Sequence, residues 1–400
     1  MNRRLKSLVS LVIDQADRGE LPYVALEHLE SGTGALMPGV ELPIRRGGEP
    51  GVGAVRQGDV LFGKLRPYLA KTLLVREPAY ASTELMALRP NSGVDSRWLA
   101  YLVGSGPLIE WATASSDGVK MPRTSWEQLG EFRVVDIPEL AAQRSIADYL
   151  DTETTRIDAL IEKKEKLSAL LVEHEHSRIR NLVSCGTEMS PVSVTYPPAD
   201  GTPTPPGWRS APLRSICTFE TGKAHENFVS ENGTYVCVNS RFVSTEGRIS
   251  KRCEQNLSPA RKNDILMVMS DLPNGRALAK AFFVESDGQF AVNQRVCIIG
   301  PRNIEPKYAF YQLDRNPYFL AFDDGSNQTH LSSSCFTSFK MLVPPREEQL
   351  RIVKTLDAAT ATRRKITQAI SSQIEKLSEF RQALITTAVT GELDVAGVAA

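Results

Sequence analysis

The 400-residue chain has no net charge: its 47 lysines and arginines are balanced by 47 aspartates and glutamates. Split by region, the balance stays mild. Binding to nucleic acid by bulk charge is thereby excluded, and any such binding must come from local arrangement. Six cysteines are present, Cys185, Cys217, Cys237, Cys253, Cys297 and Cys335. None belongs to a Cys-x-x-Cys pair and residues 1–184 have none, which excludes a disulfide framework and a zinc site. His174 and His176 lie two apart in a helical stretch, so they point to different faces and read as solvated side chains. No apolar run approaches membrane-spanning length. Met1-Asn2-Arg3-Arg4 leads into no apolar leader. The expectation is a soluble, cytoplasmic protein. Catalytic signatures are missing as well. Thr221-Gly222-Lys223-Ala224 lacks the upstream glycine and the hydroxyl of a phosphate-binding loop, and Gly51-Val52-Gly53 reads as an isolated turn. The Asn/Asp-Pro-Pro-aromatic motif that holds a flipped adenine in methyltransferases is absent, because Pro197-Pro198 and Pro344-Pro345 have the wrong neighbours. No catalysis is expected from this chain alone.

What is present is a pair of long amphipathic stretches. The first runs from Pro138 to about Val183. Pro138 suits a helix entrance, and Glu139 would meet the positive end of the dipole. Apolar residues follow at Ile146, Leu150, Ile157, Leu160, Ile161, Leu167 and Leu171, at helical or heptad spacing, with no glycine or proline before Gly186. At about 1.5 Å per residue this is a helix of roughly 60–65 Å. The second opens at Pro344-Pro345 and runs to about Val389. Its apolar positions, Ile352, Leu356, Ala359, Ile366, Ile370, Leu377, Phe380 and Leu384, step like a coiled-coil seam. Gln143, Ile146, Leu150 and Asp151 align with Gln349, Ile352, Leu356 and Asp357 at one constant offset.

The segments before the helices align too. Arg56-Gln57-Gly58-Asp59-Val60-Leu61-Phe62 matches Arg261-Lys262-Asn263-Asp264-Ile265-Leu266-Met267, and Leu69-Ala70-Lys71 matches Leu278-Ala279-Lys280. Tyr80-Ala81 and Glu84 match Phe290-Ala291 and Gln294. Trp98, Tyr101 and Pro107 match Tyr308, Tyr311 and Pro317, and Asp117-Gly118 matches Asp324-Gly325. Strands are predicted over 60–62, 72–75 and 84–88, then 235–238, 265–269, 281–284 and 295–299. Short helices are predicted over 96–103 and 107–113, and around 307–313 and 318–322. The fold class is therefore mixed α/β (α+β), built by tandem duplication. The predicted domains are 1–137 and 208–343, each followed by a long helix, 138–185 and 344–391. A proline-rich linker covers 186–207 and a tail 392–400.

This order resembles the specificity subunit of type I restriction–modification enzymes over nearly the full chain. The resemblance rests on the duplicated order of domain and helix. It rests also on the run Val134-Val135-Asp136-Ile137-Pro138-Glu139-Leu140-Ala141-Ala142-Gln143-Arg144-Ser145-Ile146-Ala147-Asp148-Tyr149-Leu150-Asp151, and on Pro205-Pro206-Gly207-Trp208. The second copy departs with Pro345-Arg346 where the first has Glu139-Leu140. The resemblance implies two target recognition domains, each reading one half of a split, asymmetric site in double-stranded DNA. It implies that the long helices pack antiparallel and hold those domains apart about a pseudo-twofold axis. Two adenine-N6 methyltransferase subunits and two ATP-driven restriction/translocase subunits are the implied partners, with no membrane. S-adenosylmethionine, ATP and magnesium belong to those partners, and no cofactor is expected on this chain.

A split site needs two readers at fixed separation, and base reading needs arginine, lysine, asparagine or glutamine in polar loops. The candidates in the first domain are Arg45, Arg46, Lys64, Arg66, Lys120 and Arg123. In the second they are Lys223, Arg241, Asn274, Arg276, Asn327, Gln328 and His330. The loops after Gly118 and Gly325 are favoured, since they hold the same place in both repeats. The expected seam and partner surface comprises Gln143, Ile146, Leu150, Ile157, Leu167 and Leu171, with Gln349, Ile352, Leu356, Ile366, Ile370, Leu377 and Leu384. The competing reading is a coiled-coil scaffold with two protein-binding domains and no DNA role.

Overall fold

A computed structural model describes residues 3–12, 19–187, 204–270, 277–323 and 330–394. They fall into two compact units, residues 1–166 with 369–400, and residues 167–368. In chain order, unit 1 holds β1 (Arg3–Arg4), β2 (Val9–Leu11), β3 (Glu20–Val24), β4 (Ile44–Arg46), β5 (Val52–Val55), β6 (Val60–Gly63), β7 (Thr72–Leu74), β8 (Ala79–Ser82) and β9 (Leu85–Pro90). Then come α1 (Ser96–Val103), α2 (Gly106–Ala114), α3 (Trp126–Leu129), β10 (Arg133–Val134) and the start of α4 (Leu140–Cys185). One sheet has the order β2-β9-β6-β7, a second β4-β3-β8-β5, and β1 pairs β10.

Unit 2 holds β11 (Arg209–Pro212), α5 (Leu213–Ile216), β12 (Cys217–Thr221), β13 (Tyr235–Val238), α6 (Ser240–Ser244), β14 (Lys251–Cys253), β15 (Ile265–Val268), β16 (Ala281–Phe283), β17 (Phe290–Val292) and β18 (Val296–Pro301). It continues with α7 (Pro306–Leu313), α8 (Pro317–Leu320), α9 (Ser333–Ser338), β19 (Lys340–Val343) and the start of α10 (Arg346–Val389). Its sheets run β12-β18-β15-β16 and β14-β13-β17, with β11 paired to β19. This is the topology of unit 1. Even the one parallel pairing recurs, Tyr23↔Tyr80 in one unit and Val236↔Phe290 in the other. Only β5 lacks a counterpart strand among the described residues; an isolated bridge, Pro259↔Ala291, stands in its place.

The central strands show why the sequence folds this way. β6 and β15 are apolar at every position and buried throughout. A strand points alternate residues to opposite faces. Val60 and Phe62 accordingly enter one core, with Trp98 and the long helices, while Leu61 enters another, with Val24 and Ala81. Ile265 and Met267 divide from Leu266 and Val268 in the same way. Burial fixes the cysteines too: Cys185, Cys217, Cys237, Cys253 and Cys297 are buried thiols, and Cys335 is partly exposed.

Within each unit the two long helices run antiparallel. In unit 1 Lys164 Nζ donates to Gln373 Oε1 at 2.6 Å and Arg381 Nε to Asp158 Oδ1 at 2.8 Å. Arg381 also donates to the carbonyls of Gly32 and Thr33, tying the helix pair to its own domain. In unit 2 Glu175 meets Arg363 at 2.5 Å, and the Thr187 N–H donates to Glu348 Oε1 at 2.7 Å.

The expected seam is corrected in three places. Gln143 and Gln349 are buried and face their own domains. Gln143 Oε1 accepts from Asp95 N at 2.8 Å, and its Nε2 donates to the carbonyls of Gly93 and Pro138. Gln349 repeats this with Glu305 N at 2.7 Å and the Pro344 carbonyl. Second, Ile146, Leu150 and Ile157 share one core with the domain as well as with Leu384, and Leu377 packs on it. Ile352 and Leu356 pack into the unit 2 core, while Ile370 is buried in unit 1. Third, Leu167 and Ile366 are exposed and Leu171 is half-buried. Leu167 and Ile366 stand ten positions beyond Ile157 and Leu356, which at 3.6 residues per turn is about 80° off the stripe. The first helix also starts two residues later than expected. The Glu139 carbonyl accepts the first helical bond, from Gln143 N at 2.9 Å, so Pro138 and Glu139 lie outside α4.

Candidate nucleic-acid interface

Unit 1 brings four of its six candidates together at one end of the β2-β9-β6-β7 sheet. β6 ends at Gly63, and the chain continues through Lys64-Leu65-Arg66. Leu65 bridges Arg123, the Thr124 N–H donates to the Lys64 carbonyl, and the Arg66 N–H donates to the Pro122 carbonyl. Asp117 and Arg123 pair with each other and close the loop 117–123. Gly118 sits there at φ +90, a left-handed conformation that a side chain would strain. Lys64 Nζ donates to the Thr83 carbonyl at 2.6 Å, and Arg123 pairs with Glu84 at 2.7 Å. Lys120 and Arg66 are exposed without a carboxylate partner among the described residues. Tyr68, Val119 and Met121 are exposed beside them, Val119 completely. Cations mixed with uncovered apolar groups suit a groove that offers phosphates, base edges and thymine methyls.

Arg45 and Arg46 lie elsewhere. They sit on edge strand β4, opposite Leu21 and Glu20 at the N-terminal end of β3. Thr83 and Glu84 follow the opposite end of β8, which runs parallel to β3. Both arginines are already compensated: Arg45 pairs with Glu49 and lies over the Tyr23 ring, and Arg46 pairs with Glu20.

Unit 2 repeats the construction. Ser270 bridges His330 and the Leu331 N–H donates to the Met269 carbonyl, just as Leu65 bridges Arg123 and Thr124 meets Lys64. Exposed His330 therefore stands where Arg123 stands. Lys223 reaches the same end, with its N–H on the Val292 carbonyl. Gly222 permits that approach, since a Cβ there would lie 2.3 Å from the Asn293 carbonyl oxygen. Arg241, on α6 directly after β13, is exposed at this end too. Asn274, Arg276, Asn327 and Gln328, together with Asp324-Gly325, lie outside the described residues, as does most of the linker.

One functional candidate escaped the sequence reading. Strand register places Arg295, not Gln294, in the position of Glu84: Met269 N–H donates to the Arg295 carbonyl as Lys64 N–H donates to that of Glu84. The signal was a one-residue insertion between β17 and β18 that side-chain similarity concealed. Arg295 is exposed. The neighbouring Glu226 carboxyl is held below the usual carboxylate range by its own backbone N–H, and it accepts from Asn293 Nδ2 at 3.2 Å. No cluster of His, Cys, Asp and Glu among the described residues has metal-site geometry.

Comparison with known proteins bears on this arrangement. Residues 205–376 match the model of the type I restriction modification DNA specificity domain. The type I restriction enzyme StySPI specificity subunit of Salmonella potsdam is 20% identical over 325 residues, 77% of this chain and 67% of that protein. In fold, the chain is similar to a protein from a structure concerned with complex assembly and conformational transition of the type I R-M system, with TM-score 0.70, 19% identity and 98% of both chains covered. The HsdS subunit from Thermoanaerobacter tengcongensis follows, with TM-score 0.50, 19% identity, and 98% and 97% covered. The chain thus carries a type I restriction modification DNA specificity domain over residues 205–376, within a fold that over nearly its whole length is that of type I specificity subunits.

Proposed function

We propose that this chain is the non-catalytic DNA-specificity subunit of a type I restriction–modification complex, and that each unit reads one half of a bipartite duplex site. The observation that carries the reading is the recurrence of one strand bridge, Leu65↔Arg123 and Ser270↔His330, at the same end of the same sheet in both units. Two readers of one build but different side chains suit two different half-sites. Unit 1 offers Lys64, Arg66, Lys120 and Arg123; unit 2 offers Lys223, Arg241, Arg295 and His330.

Adenine-N6 methyltransferase subunits, two per chain, dock on the outer helix faces, where Leu160, Leu167, Ile366 and Phe380 are exposed. Two restriction/translocase subunits complete the assembly. S-adenosylmethionine, ATP and magnesium act on those partners. The test is to express the chain with its methyltransferase partner and map methylated adenines genome-wide. A split, asymmetric motif is the expected result. Methylation with no sequence preference, or no retention of any duplex by the purified complex, overturns the reading. Native mass spectrometry should show two methyltransferases per chain at saturation.

A further inference from the structure

Strand β14 is the outer strand of the β14-β13-β17 sheet in unit 2. The run Arg248-Ile249-Ser250-Lys251-Arg252 leads into it, and all five residues are exposed. Its three cations have no carboxylate partner among the described residues, in contrast to Arg45 and Arg46 on the edge strand of unit 1. Arg248 Nε donates to the Thr245 carbonyl at 3.1 Å and Arg252 Nη1 to the Gly233 carbonyl at 3.4 Å. Those bonds orient two of the side chains and neutralise neither. Glu231 and Glu254 lie near the far end of the strand and form no ion pair with it.

The edge is firmly held. Cys253 is fully buried, and β14 is registered to β13 by Tyr235↔Cys253 and Cys237↔Lys251. A Cβ on Gly233 would lie 2.5 Å from the Cys253 backbone, so only glycine allows this close approach. The register also places the cations. Lys251 lies opposite Cys237, which pairs with Ala291 on β17. Neighbouring strands are about 4.8 Å apart, so the Lys251 backbone is roughly 10 Å from the β17 end where Lys223 is anchored. The basic edge therefore continues the end of unit 2 that carries Lys223, Arg295 and His330.

We propose that the edge from Arg248 to Arg252 contacts the sugar-phosphate backbone of duplex DNA beside the bases read by unit 2. This rests on the reading of the chain as a DNA-specificity subunit. The chain bends at Arg248 and Ile249 before β14 begins at Lys251, so the five residues reach less than the roughly 13 Å of a fully extended run, the axial length of about four phosphates of one strand. Unpaired cations on a fixed strand bind phosphate without reading sequence, so the edge adds affinity and register but no base preference.

The test uses the complex of this chain with its methyltransferase partner. The variant is Arg248→Gln, Lys251→Gln and Arg252→Gln together, and the control is Arg248→Lys, Lys251→Arg and Arg252→Lys. Binding to a target duplex and to an unrelated duplex is measured across a salt series. Each lost phosphate contact should reduce the slope of log K against log salt by about 0.9, so the triple glutamine variant should lose roughly 2–3 from the slope. Both duplexes should weaken by the same factor, the methylated motif should not change, and the charge-preserving control should behave as wild type. An unchanged slope in a glutamine variant whose parent binds normally overturns the phosphate edge alone. A changed motif overturns it too, by making the edge a base reader. Failure of the wild-type complex to bind any duplex overturns the specificity-subunit reading and this inference with it.

Discussion

Replacing Gln143 with alanine removes the side chain that joins the start of α4 to its own domain. Three hydrogen bonds go at once: from Asp95 N at 2.8 Å, to Gly93 O at 3.1 Å and to Pro138 O at 2.9 Å. Gln143 is 1% exposed, so water cannot easily take over. Each lost bond costs about 1 kcal/mol, and each polar group left stranded costs about 1–3 kcal/mol. Partial relaxation brings the expected total to about 3–5 kcal/mol, at the upper end for a point mutation. For a unit of this size that is a fall in melting temperature of roughly 10 °C. Gln349 makes two such bonds, to Glu305 N and Pro344 O. Gln349→Ala should therefore cost about 1 kcal/mol less, and should act on unit 2. Gln143→Glu keeps the acceptor for Asp95 but turns a carboxylate towards two carbonyls, so it should not rescue. Urea unfolding with calorimetry reads all three variants. A Gln143→Ala loss below about 0.5 kcal/mol, or a glutamate variant as stable as wild type, would refute the docking role.

Asp314 is half-buried, and desolvation pushes its carboxyl from an ordinary 3.8 up to about 6, against the Ala281 N–H that it accepts at 2.8 Å. The native state holds this proton more tightly than the unfolded chain, so the contribution to stability is full below about pH 4 and is lost as pH rises through about 6, at most about 3 kcal/mol. Asp314→Asn should flatten that slope and be the more stable form at pH 8; parallel pH–stability curves would contradict it. Lys120→Ala with Arg123→Ala should relax or weaken one half of the methylated motif, and Arg295→Ala with His330→Ala the other, by about 1–3 kcal/mol per lost base contact. Simultaneous relaxation of both halves by either pair would separate these residues from half-site reading. Burial pushes the Cys217 thiol up to about 12 and raises those of Cys237, Cys253 and Cys297. A thiol reagent at neutral pH should therefore modify Cys335 first in the folded protein, and fast labelling of Cys217 would contradict the packing.

The sequence by itself determined the duplication, the fold class and the two long helices, because each rests on short-range signals. Short continuous apolar runs mark β6 and β15, and helical spacing marks α4 and α10. The matched pairs also survived: Tyr101 and Tyr311, aligned by sequence alone, both donate to the aligned aspartates, Asp151 at 2.8 Å and Asp357 at 2.7 Å. What the sequence could not decide was which polar residue faces what. Gln143 looks like a surface glutamine on a helix, and only the packed domain turns it inward. Arg45-Arg46 and Arg248-Ile249-Ser250-Lys251-Arg252 look alike as basic runs. Strand register puts the first pair beside Glu20 and Glu49 and leaves the second run without a carboxylate partner among the described residues. Arg295 emerged as the counterpart of Glu84 only through hydrogen-bond register, since a one-residue insertion is invisible to side-chain matching. Charge compensation and register are long-range properties, set by residues far apart in the chain, and they exist only once the sheets have formed.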